Sequence, residues 1–220
     1  MKQAIILGAT GLTGGMLLDR LLEDNRYRKI KLFSRKSIGI SHPKVTEYIV
    51  DLLCLEDSKE LFVADEVFCC IGTTHSKTPD KNLYHQIDYG IPVTAAKLCS
   101  QNNINTLLVV SALGANPKSS IFYNRTKGEM EEAVLNYPIP KTHILQPSLI
   151  GGNRKEKRTG EYFFKLLMKL LNPILIGAFK KYRTIAPETI VSSMIWLANN
   201  EFLDTRISSE KIKELAQHSF

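Results

Sequence analysis

Cysteine, tryptophan and long apolar runs are scarce in this chain of 220 residues. It has only four cysteines and one tryptophan. The cysteines stand at positions 54, 69, 70 and 99, without a CxxC pair or a cysteine–histidine cluster of zinc spacing. This argues against a zinc site and against a disulfide scaffold. We expect buried thiols in a reducing compartment, no metal and a cytoplasmic location.

Membrane-spanning segments are also not expected, because no uncharged run reaches the ~18 residues that a span requires. The most apolar region, Tyr162–Phe179, is interrupted by Lys165 and Lys169. We expect an amphipathic helix packed on the domain there, with a helix lying in a membrane interface as the alternative. The first residues, MKQAIILGATG, are too short and too broken by glycine to be a signal peptide.

Acidic residues are fewer than basic ones. The chain has 29 Lys and Arg against 22 Asp and Glu, a net charge of +7. Such an excess suits an anionic ligand, a nucleic acid or an acidic membrane surface. Arg154–Arg158 is either a solvated loop or a contact for an anionic substrate or for the adenosine phosphates, and Lys180–Arg183 is interpreted in the same way. Nucleic acid is not expected, because no interleaved aromatics or RNA-binding motif accompany these segments.

Short β-branched runs alternate with segments of helical periodicity. This alternation is typical of βαβ units and predicts an α/β protein, a Rossmann-type doubly wound parallel sheet in a single domain over 1–220. After Gly151 this alternation of strands and helices ends, and residues 151–220 are predicted to form a small helical lobe on the substrate side. The predicted strands are Ala4–Leu7, Ile30–Phe33, Thr46–Val50, Glu66–Cys70, Thr106–Val110 and Thr142–Leu145, and the helices are Thr13–Glu23, Ile87–Gln101, Tyr123–Leu135, Pro187–Asn199 and Ser208–Gln217.

A glycine-rich loop joins the first strand to the first helix. Gly8 allows a tight turn, Gly11 lets the backbone approach a pyrophosphate, and Gly14 lets the helix lie close to the strand. The helix N-terminus then offers free N–H groups to phosphates. The spacing is GxxGxxG rather than GxGxxG, but its place between strand and helix favours dinucleotide binding over a purely structural turn. The residues between the glycines, Thr10, Leu12 and Thr13, are included in the predicted site.

The end of the second strand lacks the acid that binds the ribose of NAD. It carries Ser34 and Arg35 instead. A guanidinium can bind a 2′-phosphate through its planar fork, and Ser34 can add a hydroxyl. NADP(H) is therefore the preferred cofactor and NAD(H) remains possible. The alternative is that Arg35 and Lys36 are ordinary solvated charges.

Tyr123 and Lys127 form a YxxxK pair at the start of a predicted helix. Residues four apart share a helix face, so the lysine charge would lower the tyrosine pKa from about 10. Such a tyrosine can protonate a carbonyl oxygen as a hydride arrives. Two other pairs of this spacing, at Tyr27 and Tyr137, are less well placed. Ser111, at the end of the fifth strand, either binds the same substrate oxygen or caps the strand.

Taken together, the sequence resembles a short-chain dehydrogenase/reductase of the atypical branch, and within it the Tat-interacting-protein-type oxidoreductases. The likeness rests on the glycine loop, Cys69–Thr74, Ser111–Ala115 and Tyr123–Glu131. It implies a Rossmann fold that binds NADP(H) at the carboxyl edge of the sheet. Extended members often have a catalytic Asn after the fourth strand, and Ile87–Tyr89 offers no obvious equivalent. The resemblance further implies that Asp51 and Leu52 lie against the adenine, that Gly72 and Thr73 line the nicotinamide half, that Lys127 binds the ribose, and that Pro147 and Ser148 lie beside the nicotinamide amide.

The leading hypothesis is an NADP(H)-dependent oxidoreductase in which Ser111, Tyr123 and Lys127 act on a small carbonyl or alcohol substrate. The alternative is an NADPH-binding sensor or regulatory protein without turnover, and an oligomer is possible. A sugar-nucleotide epimerase would need a larger substrate lobe. We expect His75 to be a solvated loop residue, with substrate contact as the alternative. We expect the carboxylates of Glu129, Glu131 and Glu132 to face solvent.

Overall fold

The computed structural model describes residues 1–151 and 183–218, and these residues form alternating strands and helices. In chain order the elements are β1 (Lys2–Leu7), α1 (Leu12–Glu23), β2 (Tyr27–Ser34), β3 (Val45–Ile49), a 3-10 helix (Leu52–Ser58), β4 (Glu66–Cys69), α2 (Lys81–His85), a π-helical turn (Gln86–Gly90), α3 (Ile91–Gln101), β5 (Thr106–Val110), α4 (Phe122–Leu135), β6 (Lys141–Gln146), α5 (Pro187–Asn199), β7 (Arg206–Ser208) and α6 (Ser209–Ala216).

All strands are parallel and form one seven-stranded sheet in the order β3-β2-β1-β4-β5-β6-β7. The predicted α/β doubly wound sheet is confirmed. The chain moves outward from β1 to β3 and then returns to place β4 on the other side of β1. The carboxyl ends of β1 and β4 therefore flank the crevice in which open α/β sheets bind their ligands.

Both faces of the sheet are covered, because successive side chains of a strand point to opposite faces. Ile6 packs into a core with Leu17 of α1 and Met194 of α5. Its neighbour Ile5 packs into a second core with Ala95 of α3 and Met130 of α4. Because the parallel strands are buried on both faces, their sequences are near-continuous apolar runs.

The described part of the predicted C-terminal lobe packs with the sheet. β7 extends the sheet beside β6, and the apolar side of α5 joins the core that contains Leu17 and Leu18 of α1. Residues 183–218 thus belong to the same packed unit as the first 151. The predicted apolar helix of Tyr162–Phe179, the basic segment Arg154–Arg158 and Lys180–Tyr182 lie outside the described residues.

The helix at Pro187 and the fifth strand lie where the sequence predicts them, whereas β7 and α2 were not predicted. Within residues 1–151 and 183–218, no helix combines the length and apolarity needed to cross a bilayer. The expectation of buried thiols is wrong for Cys54, which is exposed on the 3-10 helix, while Cys69 and Cys99 are buried and Cys70 is half-buried. All four cysteines are free.

Candidate active site

The glycine loop closes tightly over the end of β4. Gly8 has a φ of +90°, which favours glycine, and a Cβ there would lie 2.8 Å from the Cys70 carbonyl oxygen. A Cβ on Gly14 would lie 2.2 Å from the Gly8 carbonyl oxygen, closer than any carbon can approach. The Gly11 N–H donates to the same oxygen over 2.9 Å. Gly8 and Gly14 thus allow α1 to begin directly against the turn.

The loop leaves the N-terminus of α1 suited to a phosphate. Gly11 occupies the N-cap position, and it has no side chain to bond the first N–H groups of the helix. A Cβ on Gly11 would meet only the Gly8 carbonyl oxygen, at 3.3 Å. Thr10 is exposed, Leu12 half-buried and Thr13 buried. An uncapped helix N-terminus beside a bare backbone fits the pyrophosphate of a dinucleotide.

At the end of β2, Ser34 is buried and Arg35 is exposed. The Ser34 hydroxyl donates to the Lys36 carbonyl oxygen over 2.8 Å, so it shapes the turn that presents Arg35. Just beyond this turn, Glu47 on β3 accepts from Ser37 Oγ and the Ile38 N–H. Because the Ser34 hydroxyl donates to Lys36, its proton is already engaged in a hydrogen bond within the protein.

Lys127 on α4 lies in the centre of the predicted site. Its side chain is buried, and Nζ lies 2.9 Å from Asp88 Oδ1. Burial alone would lower the pKa of Lys127, but the charge of Asp88 and the nearby Tyr123 phenol hold it above its ordinary value. Tyr123, one helical turn earlier, is 39% exposed. The YxxxK pair thus combines a buried cation with a tyrosine that is accessible from outside.

Asp88 is fully buried and joins Lys127 to the loop after β4. Its Oδ2 accepts from the Thr73 N–H over 2.7 Å. A Cβ on Gly72 would stand 3.6 Å from Asp88 Oδ1 and 3.9 Å from Lys127 Nζ, so the bare glycine lies next to the ion pair. The sequence analysis missed this role of Asp88. An acid placed three and seven residues before Ile91 and Ala95, on the apolar face of the predicted helix, was the signal.

Ser111 is buried, and its hydroxyl donates to Glu131 Oε1 over 2.5 Å. Glu131 also accepts from Gln146 Nε2 and from Arg206 Nε, at 2.9 Å to its Oε2 in both cases. The expectation that Glu131 faces solvent is wrong, because this carboxylate is only 2% exposed. It follows Lys127 by four residues, which places both on one face of α4 and was the signal available in the sequence.

Glu129 and Glu132 differ from Glu131. The Glu129 carboxylate is 38% exposed and lies 3.5 Å from His85, and Glu132 is exposed, as the sequence analysis expects. His75 is exposed after β4, and the structure gives it no further role. Gly128, not singled out from the sequence, lets the loop at Asn116 and Pro117 rest on α4, because a Cβ there would lie 2.2 Å from the Pro117 nitrogen.

The remaining predicted cofactor contacts lie at the same edge but serve the fold as well. Asp51 accepts from the Leu53 N–H and caps the 3-10 helix, in which Leu52 is buried. The Pro147 carbonyl oxygen accepts from the Leu113 N–H. Ser148 donates to the Arg183 carbonyl oxygen and accepts from the Ser209 hydroxyl. These contacts fix the loop after β6 in place. Within the described residues, no group of three or more acidic, histidine or cysteine side chains could hold a metal ion.

Curated proteins similar to this chain include fungal and mammalian ones. FMP52 of Candida glabrata is 34% identical over 169 residues, which span 72% of this chain and 68% of that protein. FMP52-1 of Scheffersomyces stipitis is 29% identical over 201 residues, spanning 88% and 82%. HTATIP2 of Rattus norvegicus is 29% identical over 165 residues, spanning 73% and 68%. The fungal proteins are named mitochondrial, which contradicts the cytoplasmic location expected from the sequence.

Solved structures with the same fold include the enzyme WbmH of Bordetella bronchiseptica in complex with NAD⁺. It has a TM-score of 0.70 at 15% identity, over 99% of this chain and 80% of that one. The UDP-N-acetylglucosamine 4-epimerase of Methanobrevibacter ruminantium has a TM-score of 0.70 at 18% identity, over 98% and 80%. At these identities the likeness establishes the fold alone.

No family model matches the chain. The identity and coverage of the FMP52 proteins nevertheless reach the level at which membership is clear, with four of them matching at 30% or more. The glycine loop leads into α1, and Tyr123 and Lys127 lie on α4. The chain belongs to the atypical short-chain dehydrogenase/reductase family of the FMP52 and HTATIP2 proteins.

Proposed function

We propose that this protein is an NADP(H)-dependent oxidoreductase that acts on a small carbonyl or alcohol substrate. The observation that carries the proposal is the position of Tyr123 and Lys127 on successive turns of α4, next to the glycine-lined crevice between β1 and β4. A buried cation one turn from an accessible phenol is an arrangement that favours proton transfer by the phenol.

In this proposal Tyr123 is the general acid and base. A nicotinamide, when bound, supplies or accepts the hydride. The Tyr123 hydroxyl gives a proton to the substrate oxygen in reduction and takes it back in oxidation. Lys127, kept protonated beside Asp88, favours the ionised phenol by its charge. Because Lys127 is buried, little water screens this effect.

Ser111 stays in the proposal as the residue that holds the substrate oxygen. Its hydroxyl proton is directed to Glu131, so in this arrangement the oxygen can accept a hydrogen bond from an alcohol. To donate to a carbonyl, the hydroxyl must turn away from Glu131. The role is tested by Ser111→Ala, which is expected to lower kcat while the Kd for NADPH stays unchanged.

Arg35 supports the preference for NADP(H). It is exposed directly after β2, and the turn that presents it is fixed by Ser34. We propose that its guanidinium binds the 2′-phosphate. Gly8, Thr10, Gly11, Leu12, Thr13 and Gly14 would hold the pyrophosphate, Asp51 and Leu52 the adenine, and Gly72, Thr73, Lys127, Pro147 and Ser148 the nicotinamide half.

The test is a titration of the purified protein with NADPH and with NADH, followed by nicotinamide fluorescence. We expect NADPH to bind at least roughly tenfold more tightly, a difference of about 1.4 kcal/mol. Arg35→Ala should remove most of that difference and leave the affinity for NADH unchanged. Lys36→Ala, which removes an exposed cation one residue later, is the matched control. Equal binding of both cofactors by the wild type would refute the assignment of Arg35.

The second candidate function is an NADPH sensor without turnover. Two contacts favour it: the Ser111 hydroxyl proton is bound by Glu131, and Lys127 is bound by Asp88. A screen of carbonyl substrates with wild type and Tyr123→Phe separates the two. An enzyme loses NADPH oxidation in Tyr123→Phe while its NADPH affinity stays the same. A sensor does not oxidise NADPH with any of the substrates screened, either as the wild type or as Tyr123→Phe.

A further inference from the structure

Among the acids that the structure describes, Asp88 is fully buried and lies beside the Gly72–Thr73 loop, which is proposed to line the nicotinamide half. Its two oxygens have different partners: Oδ1 lies 2.9 Å from Lys127 Nζ, and Oδ2 accepts the Thr73 N–H at 2.7 Å. Lys127 belongs to α4, whereas Thr73 belongs to the loop after β4. One carboxylate therefore connects the helix with the general acid to the loop on the nicotinamide side.

The local backbone brings Asp88 to this position. It lies in the π-helical turn Gln86–Gly90, between α2 and α3, where the helix is widened by one residue. Single π turns are uncommon and often occur at functional sites. The turn is anchored on both flanks, since Tyr84 and Ile91 are buried. The position of the carboxylate is thus set by packed structure rather than by a surface loop.

The charged and titratable groups facing Lys127 come from the π-helical turn, from β4 and from α4 itself. Asp88 faces it from the π turn, Tyr123 from the preceding turn of α4, and the Cys69 thiol from the end of β4. Burial raises the pKa of that thiol to about 11, so it is neutral at physiological pH. Asp88 is consequently the anion that offsets the cost of burying the Lys127 charge.

We propose that Asp88 is a positioning residue of this site: its carboxylate holds Lys127 in place and charged, and it fixes the Gly72–Thr73 loop against α4. The proposal rests on the proposed oxidoreductase function for its consequence in catalysis. It predicts that the charge of Asp88 and its hydrogen bond to Thr73 have separable effects. One carboxylate oxygen lies against Lys127, and the other accepts from Thr73.

Two variants separate these effects. Asp88→Asn removes the charge but keeps an oxygen that can accept the Thr73 N–H, whereas Asp88→Ala removes both. Glu129→Gln is the matched control, because it removes an exposed carboxylate of α4 that lies two residues after Lys127 and on another side of the helix. The readouts are the pH titration of the Lys127 side chain by NMR, the Thr73 amide shift, and NADPH affinity by fluorescence.

In Asp88→Asn we expect Lys127 to lose its proton at lower pH than in the wild type, while the Thr73 amide shift and NADPH affinity change little. In Asp88→Ala we expect the same change in Lys127 and, in addition, loss of the Thr73 signal and roughly tenfold weaker NADPH binding. Glu129→Gln should match the wild type throughout. Once a substrate is identified, the rate of NADPH oxidation by Asp88→Asn should begin to fall at a lower alkaline pH than that of the wild type.

An unchanged Lys127 titration in Asp88→Asn would overturn the proposal. If Asp88→Asn does not fold, the pairing of Asp88 with Lys127 is tested by comparing the stabilities of Lys127→Met and Asp88→Asn/Lys127→Met. The double variant should be more stable than Lys127→Met, because it no longer buries an unpaired carboxylate, and equal stabilities would overturn the pairing. The NMR titration needs no cofactor, so a wild type that binds no NADPH refutes the proposed function without deciding the role of Asp88.

Discussion

Alanine at Gly11 and at Gly14 should separate the glycine that touches the cofactor from the glycine that builds the loop. A Cβ on Gly14 would lie 2.2 Å from the Gly8 carbonyl oxygen and 2.7 Å from its carbon. Both are backbone atoms of the turn and cannot rotate away. A Cβ on Gly11 would meet only one atom, at 3.3 Å, and Gly11 has φ −88° and ψ 172°, which any residue adopts.

The expected magnitudes follow from these distances. Gly14→Ala forces the start of α1 away from β1, and such overpacking costs about 1–3 kcal/mol or more in the free energy of unfolding. Gly11→Ala requires a shift of a few tenths of an ångström and should cost less than about 1 kcal/mol. Its methyl group, however, would stand where the pyrophosphate approaches the backbone. We expect it to weaken NADPH binding at least roughly tenfold.

The assay is urea unfolding combined with fluorescence titration of NADPH for each variant. Gly90→Ala is the control, since a Cβ there would meet no atom within 4 Å apart from its chain neighbours and the backbone of its own helix. It should keep the wild-type NADPH affinity and gain about 1 kcal/mol of stability, because alanine is the better helix former. A Gly11→Ala variant that binds NADPH as the wild type does would refute the placement of the pyrophosphate.

Further predictions concern buried charges away from the glycine loop. Glu131→Gln should destabilise the protein by about 2 kcal/mol, because the acceptor of Ser111 and Arg206 loses its charge, whereas Glu132→Gln on the exposed side should stay within about 0.5 kcal/mol by urea unfolding. Burial lowers the pKa of His143 below its ordinary value of 6.5. Between the two pKa values the unfolded chain therefore binds a proton that the folded chain does not bind. The free energy of unfolding should fall as the pH drops through 6.5 towards the folded pKa. His143→Phe should remove this part of the pH dependence, measured by unfolding between about pH 5 and 8.

The sheet and the dinucleotide loop could be predicted because their signals are local. Apolar β-branched runs such as Thr106–Val110 form strands buried on both faces, and the glycine spacing before α1 leaves few other conformations. The short strand β7 escaped prediction because three residues, with one of them buried, carry no periodicity. Its place in the sheet is set by pairing with β6, more than 50 residues earlier.

The partners of the site residues cannot be predicted in the same way, because a charged residue in a sequence indicates exposure unless its partner is known. Glu131 on α4 is buried with donors from Ser111, from Gln146 on β6 and from Arg206 on β7. Asp88 is buried opposite Lys127 and accepts from the Thr73 N–H. Isolated buried charges are too costly to occur, so each of these acids is placed by contacts that are remote in sequence.

The YxxxK motif is therefore only part of the site. Tyr123, Lys127 and Glu131 follow each other at intervals of four residues and line one face of α4. Asp88 neutralises the second of them, and Ser111 binds the third. The local net charge around Tyr123 is thus much smaller than Lys127 alone would give.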